Sequence, residues 1–272
     1  MKYYAALALL LAACQPDKPA TTGSAAPDEA AGPAAAGPAA DTLHVADSLG
    51  RPALVLRLRP STKAAFDQLT DPLPLRPSER EEAAVASSQP VPATLDAPLP
   101  PDGRVQRRGE TLVFRPAQGP ALTLRPVPSP DGPEGNANAY AYWGSLPAAH
   151  QWVVDVSTDE GPAVLLVDQR TGRRTDLLGA PALSPDGRYL LSVCEDVASG
   201  GTPTDLSLYR VDGSAPQLVW RRALTDWGPR HARWRDARHA VLELAHADPG
   251  GDVMAGARLP LTYAELELPA TR

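Results

Sequence analysis

From residue 152 onward the chain alternates short apolar runs with turn residues, a spacing that excludes most folds. Runs at 152–156, 163–168 and 175–178 are followed by runs at 189–193, 205–211 and 217–220. Asp159-Glu160-Gly161-Pro162, Thr171-Gly172 and Asp212-Gly213 punctuate them. Glycine supplies the positive φ that tight turns require. Short strands at this spacing make an antiparallel meander, which packs as a propeller or as a sandwich. The 31 prolines agree, because proline interrupts helices and central strands. Apolar residues reach 43% but aromatics only 5%, so a core can be buried and must be built from Leu, Val and Ala.

The runs also repeat. Residues 165–172 align with 206–213 at an offset of 41. Pro147 and Trp152-Val153 align with Pro185 and Leu190-Leu191 at an offset of 38. Asp236-Ala237-Arg238-His239 is a weaker copy of Asp186-Gly187-Arg188-Tyr189 at an offset of 50, with Ala237 where the other copy has glycine. A unit of roughly 40 residues is the length of a four-stranded blade. The sharpest copy begins Leu183-Ser184-Pro185-Asp186-Gly187-Arg188-Tyr189, and Asp212-Gly213 closes the strand that follows. Pro185 presets φ for a turn, Asp186 can bond the backbone just beyond it, and Gly187 takes the strained position.

These residues resemble the repeat of TolB-type β-propellers, in which a Ser-Pro-Asp-Gly turn precedes one blade strand and an Asp-Gly turn follows the next. The resemblance is close over 183–220, and degraded copies extend it to 145–268. It implies protein partners, although a shared fold does not by itself carry function across. The expected fold is all-β, a partial or irregular β-propeller-like meander of about three to five blades. A β-sandwich or another all-β arrangement is the alternative. A closed propeller needs at least about four blades, so residues 41–133 would have to supply irregular ones.

At the N-terminus Lys2 precedes an apolar run over 5–13, which ends in Leu11-Ala12-Ala13-Cys14. The run is far shorter than the roughly 20 residues needed to span a bilayer. Small residues directly before a cysteine resemble the lipobox of bacterial lipoproteins. That resemblance implies a signal peptide at 1–13, diacylation of the Cys14 sulfur, and a mature chain beginning there. It further implies attachment to a bacterial cell-envelope membrane. Gln15 in place of aspartate is compatible with outer-membrane sorting. Several acyl chains give stable anchoring where one gives only marginal binding.

Residues 14–40 read as the lipidated cysteine and a linker. Of the 26 residues from 15 to 40, 18 are Ala, Pro or Gly and none is a large hydrophobe. Such a stretch cannot bury enough apolar surface to offset ordering entropy. Residues 41–133 form a proline-rich irregular β region, and 134–272 the repeat region. Within 41–133, strands are expected at 43–45 and 53–58 around Asp47-Ser48-Leu49-Gly50, and at 111–114 and 121–124. Ser78 and Glu81 fit a capping box opening a short helix over 79–87.

No residue pattern assigns chemistry. G-x-S-x-G, P-loop, H-E-x-x-H and C-x-x-C motifs are all missing from the sequence, so no catalytic residue, metal ligand or cofactor is assigned. His231, His239 and His246 share a segment with Asp236, Glu243 and Asp248 but show no known ligand spacing. Trp220, Trp227 and Trp234 recur every seven residues, which on β structure alternates faces and points to core packing. Arg221, Arg222, Arg230, Arg233, Arg235 and Arg238 are expected to pair with acids such as Asp226 and Asp236. With Cys14 acylated, Cys194 is the remaining thiol, expected as a small buried hydrophobe on a strand. The net charge of −6 disfavours a general nucleic-acid surface. Two function classes follow. One is a binding module tethered by lipid on Cys14, with an envelope protein or ligand as partner. The other is a hydrolase or carbohydrate-active enzyme using loop carboxylates such as Glu195, Asp196, Asp226 or Asp248.

Overall fold

The computed structural model describes residues 56–90, 95–128, 136–158, 161–198, 200–247 and 259–269. Cys14, the leader, the linker, the strand expected at 43–45, Asp159-Glu160 and Asp248 lie outside the described residues.

Strand β1 (Arg57–Pro60) precedes two helices, α1 (Lys63–Asp67) and α2 (Pro77–Ala86). A first sheet follows from β2 (Val105–Arg108), β3 (Thr111–Phe114) and β4 (Leu122–Leu124). The second comprises β5 (Val127–Pro128), β6 (Asn136–Leu146), β7 (Gln151–Thr158), β8 (Gly161–Asp168) and β9 (Arg174–Leu177). The third comprises β10 (Ala180–Leu183), β11 (Tyr189–Cys194), β12 (Asp205–Arg210) and β13 (Gln217–Ala223). The fourth comprises β14 (Trp227–Trp234), β15 (His239–His246) and β16 (Leu261–Glu267), completed by β1. Every pairing is antiparallel, and β1 runs along β16 from Arg57↔Glu267 to Pro60↔Ala264. The fold is therefore all-β and propeller-like, an irregular series of small antiparallel sheets. It is not a two-sheet sandwich.

The repeat offsets fall on equivalent strands. β8 and β12 each lie beside the outer strand of their sheet, and β7 and β11 each precede them. β15 occupies the same place in the fourth sheet as β11 in the third.

Successive sheets stack through three apolar layers. Phe114 and Leu112 meet Trp152, Val154 and Leu165 between the first and second sheets. Leu146 and Leu166 meet Leu190 between the second and third. Leu191, Leu206, Leu208 and Trp220 meet Leu242, Leu244 and Leu266 between the third and fourth. Side chains on a strand alternate between faces, and both faces of the middle sheets are covered. That is why β8 reads as an unbroken apolar run: Val164 and Leu166 face one layer while Leu165 and Val167 face the other.

The turn at Pro185, Asp186 and Gly187 joins β10 to β11. Gly187 sits at φ +72° and its N–H donates to the Ser184 carbonyl at 2.9 Å. Asp186 Oδ1 accepts from Ser184 Oγ at 2.7 Å and from the Arg188 N–H at 3.1 Å. The weaker copy keeps the same aspartate geometry, with Asp236 Oδ1 accepting from the N–H groups of Arg238 and His239 at 2.8 and 3.0 Å.

Three local expectations are corrected. Helix α2 begins at Pro77, one residue before Ser78, and Glu79 accepts the Arg76 N–H at 3.2 Å. Proline is preorganised for the first helical position, and the Ser78 N–H donates to Asp155 Oδ2. Trp227 and Trp234 pack on the same layer as Trp220, so the expected core packing holds but the expected alternation of faces does not. A bulge between Pro229 and His231 puts Trp227 and Trp234 on one face, and Trp220 belongs to a separate strand, β13. The arginines pair with other acids: Arg221 with Asp205 at 2.6 Å, Arg235 with Glu265, and Arg238 with Glu267 at 3.2 Å. Cys194 is buried at the end of β11, and burial pushes its thiol pKa up.

Candidate functional site

Strands of the last three sheets meet at one concavity. Trp143 of β6, Ala180 to Ala182 of β10 and His231 to Arg233 of β14 line one concavity of about 200 Å³. Trp234 Nε1 ties β14 to β10 by donating to the Ala182 carbonyl at 2.9 Å. The segment entering α2 closes the concavity with Asp71, Leu73, Pro74, Arg76 and Glu79. This segment is held from below. Trp143 Nε1 donates to the Pro74 carbonyl at 2.7 Å. Gly144 lets Leu73 pass, since a Cβ there would stand 2.9 Å from Leu73 Cδ2.

Arg76 anchors the segment to the second sheet. Its Nε donates to Asp155 Oδ1 at 2.7 Å and its guanidinium reaches the Ala163 carbonyl at 3.1 Å. Both members of this ion pair are buried, with side chains 12% and 9% exposed. A buried pair so bonded costs much more to break than to leave intact.

His231 stands between two carboxylates. Its Nε2 lies 3.8 Å from Glu79 Oε1 of α2 and 3.8 Å from Glu243 Oε2 of β15. These separations exceed a hydrogen bond, so attraction there depends on a protonated ring. Glu243 is further held by the Tyr263 hydroxyl, which donates to its Oε1 at 2.7 Å. Loss of solvent, then that bond to a carboxylate, pushes Tyr263 up to about 12. Asp71 keeps solvent along one side, yet desolvation of its carboxyl raises its pKa, while the Leu73 N–H and Arg233 act against the rise. Arg233 stacks 4.2 Å over the Phe66 ring and donates to the Phe66 carbonyl at 3.3 Å.

The concavity thus brings together Asp71, Glu79, His231, Arg76 and Arg233. Ligand pockets usually measure about 300–1,000 Å³, so this one suits a group of side-chain size. Among the described residues no set of three or more His, Cys, Asp or Glu side chains is arranged to hold a metal ion.

Of the residues singled out in the sequence, His231 and Glu243 are brought together as cross-strand partners. His239 instead pairs with Asp236 at 2.9 Å in the turn before β15, and His246 meets Thr262 at the far end. Among the described residues the loop carboxylates have local partners. Glu195 accepts the Val197 N–H at 3.0 Å, Asp196 binds the N–H and hydroxyl of Thr202 at 2.6 and 2.9 Å, and Asp226 accepts from Thr225 at 3.3 Å. None lines the central concavity. Asp71, Arg76 and Glu79 come from a proline-rich stretch where the sequence signalled the short helix over 79–87 but not its approach to this concavity.

No family model matches the chain. No curated protein matches it. Over 58% of its length the chain is similar to the crystal structure of TolB from Acinetobacter baumannii, at 14% identity with a TM-score of 0.21, and it spans 41% of that chain.

Proposed function

We propose that this chain is a bacterial envelope lipoprotein that displays a binding module, with lipid on Cys14 as the tether. Leu11-Ala12-Ala13-Cys14 and the Ala/Pro-rich residues after it support the tether. Among the described residues no helix is long and apolar enough to cross a membrane, so the lipid is the anchor this reading requires. The observation that carries the binding reading is the central concavity. Asp71, Glu79, Arg76 and Arg233 are each held by a hydrogen bond to the fold. With His231 between two carboxylates, they present a charged pattern to an incoming polar side chain or small ligand.

A hydrolase would need two carboxylates flanking a bond to be cleaved. Asp71 and Glu79 are committed to the Leu73 and Arg76 N–H groups, and the space between strands holds only a small group. Binding is therefore the better use of this site, by an envelope protein or a small polar ligand. No nucleic acid is expected.

The test is co-purification of the tagged chain from mildly cross-linked envelopes. Wild type should carry a discrete partner that Cys14→Ala and, separately, His231→Ala both lose. Recovery of the same partner with both variants would refute the tethered-module reading.

A further inference from the structure

We propose that the open face of the first sheet docks onto the anionic headgroups of a membrane. This face is opposite the Phe114 and Leu112 layer. It forms a shallow concavity of about 600 Å³ lined by Arg108, Thr111, Val113, Arg115, Thr123 and Arg125, with Ala121 at its edge. The pleat explains the set: inward Leu112, Phe114 and Leu124 alternate with outward Thr111, Val113, Arg115, Thr123 and Arg125.

Charge is arranged in a row here. Arg108 pairs across the sheet with Thr111. Leu112 pairs with Leu124, so Arg125 lies on the other side of Thr111. Arg108 and Arg125 thus take register positions on either side of Thr111, the Arg108 guanidinium donating to Gln106 Oε1 at 3.0 Å, and Arg115 stands just past the opposite end of β3. No carboxylate lines the concavity, and among the described residues none of the three arginines is in an ion pair. Arg59, Arg76, Arg107, Arg221, Arg235 and Arg238 face an acid, whereas among the described residues Arg57, Arg222 and Arg230 stand outside the ion pairs on β1, β13 and β14. Arg108, Arg115 and Arg125 differ from these in sharing one sheet face that no carboxylate lines. Like charges that share one face repel unless they are screened or countered. Their retention in a chain of net charge −6 points to an anionic partner that supplies the missing charge.

The choice of a membrane rests on the tethered reading above. Lipid on Cys14 would hold the domain beside a headgroup layer, where weak contacts act at high effective concentration. Guanidinium forks match phosphate oxygens, and a broad open face fits a surface better than a single ion. An acidic protein is the competing occupant.

The test uses the full chain carrying Cys14→Ala, so that lipid plays no part. Its partition is measured onto phosphatidylcholine vesicles with and without phosphatidylglycerol. The expected result is preference for the anionic vesicles, lost as salt approaches roughly 1 M, where charges are screened within about 3 Å. Arg108→Gln, Arg115→Gln and Arg125→Gln together should lower partition roughly 100-fold, and each alone roughly fivefold. Arg57→Gln, Arg222→Gln and Arg230→Gln together, exposed on other sheets, make the same change in net charge and should retain binding. Equal partition onto both vesicles, or equal loss in the two triple variants, overturns the proposal and moves the face to an acidic protein. That failure leaves the anchor reading standing, since the anchor is read by acylation of Cys14.

Discussion

Gly187 and Gly109 both hold left-handed backbone, at φ +72° and +58°, yet they should respond differently to alanine. A non-glycine residue in that region costs about 1–2 kcal/mol. The stiffer unfolded chain returns about 0.4–1 kcal/mol of this. A Cβ on Gly109 meets nothing within 4 Å, so Gly109→Ala should cost about 0.5–1 kcal/mol. A Cβ on Gly187 would lie 3.2 Å from the Ala148 carbonyl oxygen and 3.3 Å from Ala148 Cβ. There the turn before β11 rests on the turn before β7, and neither can yield without shifting its strand. Overpacking costs about 1–3 kcal/mol, so Gly187→Ala should lose about 2 kcal/mol or more. Urea unfolding of both variants beside wild type measures this, with unchanged m-values as the condition for comparison. In thermal scans the gap should be about 2–4 °C per kcal/mol. Equal midpoints for the two variants would refute the stacked turns, and with them the packing of one repeat on the next.

Arg76→Met should cost about 3–5 kcal/mol, because it leaves the buried Asp155 carboxylate without its cation; a chemical-unfolding midpoint near wild type would remove Arg76 from the anchoring of α2. His246 has its pKa lowered by burial from the usual 6.5. A depressed histidine contributes stability that is present above pH 6.5 and lost as pH falls through its folded value. Unfolding midpoints measured from pH 7.5 to pH 5 should therefore decline in wild type more steeply than in His246→Gln, and parallel curves would contradict the burial. Tyr263→Phe should disturb Glu243, which then loses its hydroxyl donor. Its expected readout is a chemical-unfolding midpoint lowered by about 1–3 kcal/mol, the worth of a hydrogen bond to a charged group, and a midpoint equal to wild type would count against that bond.

The strands of the repeat region were legible because their determinants are local. Pro185, Asp186 and Gly187 define one turn within a few residues, and the apolar runs at 163–168 and 189–193 report sheets covered on both faces. The offsets of the repeat even matched strands of equal rank in neighbouring sheets. Other features depend on partners distant in the chain. Arg59 meets Glu267 across 208 positions and Arg76 meets Asp155 across 79, and nothing near β1 or α2 announces either contact. The tryptophan spacing gave core packing correctly but the facing wrongly, because Trp220 lies on β13 and a bulge at Pro229 changes the parity between Trp227 and Trp234. The site was half visible: His231 and Glu243 lie within the flagged segment, whereas Glu79 opens a short helix that the sequence did signal but whose approach to His231 nothing local announces, and Asp71 precedes it without any signal.

The tethered reading is tested most directly by intact mass of the protein purified from envelope membranes. The expected product begins at Cys14 and carries the added mass of acyl chains, and Cys14→Ala moves it to the soluble fraction. A membrane-free chain that retains residues 1–13, or one that begins elsewhere without acyl mass, would overturn the lipoprotein assignment.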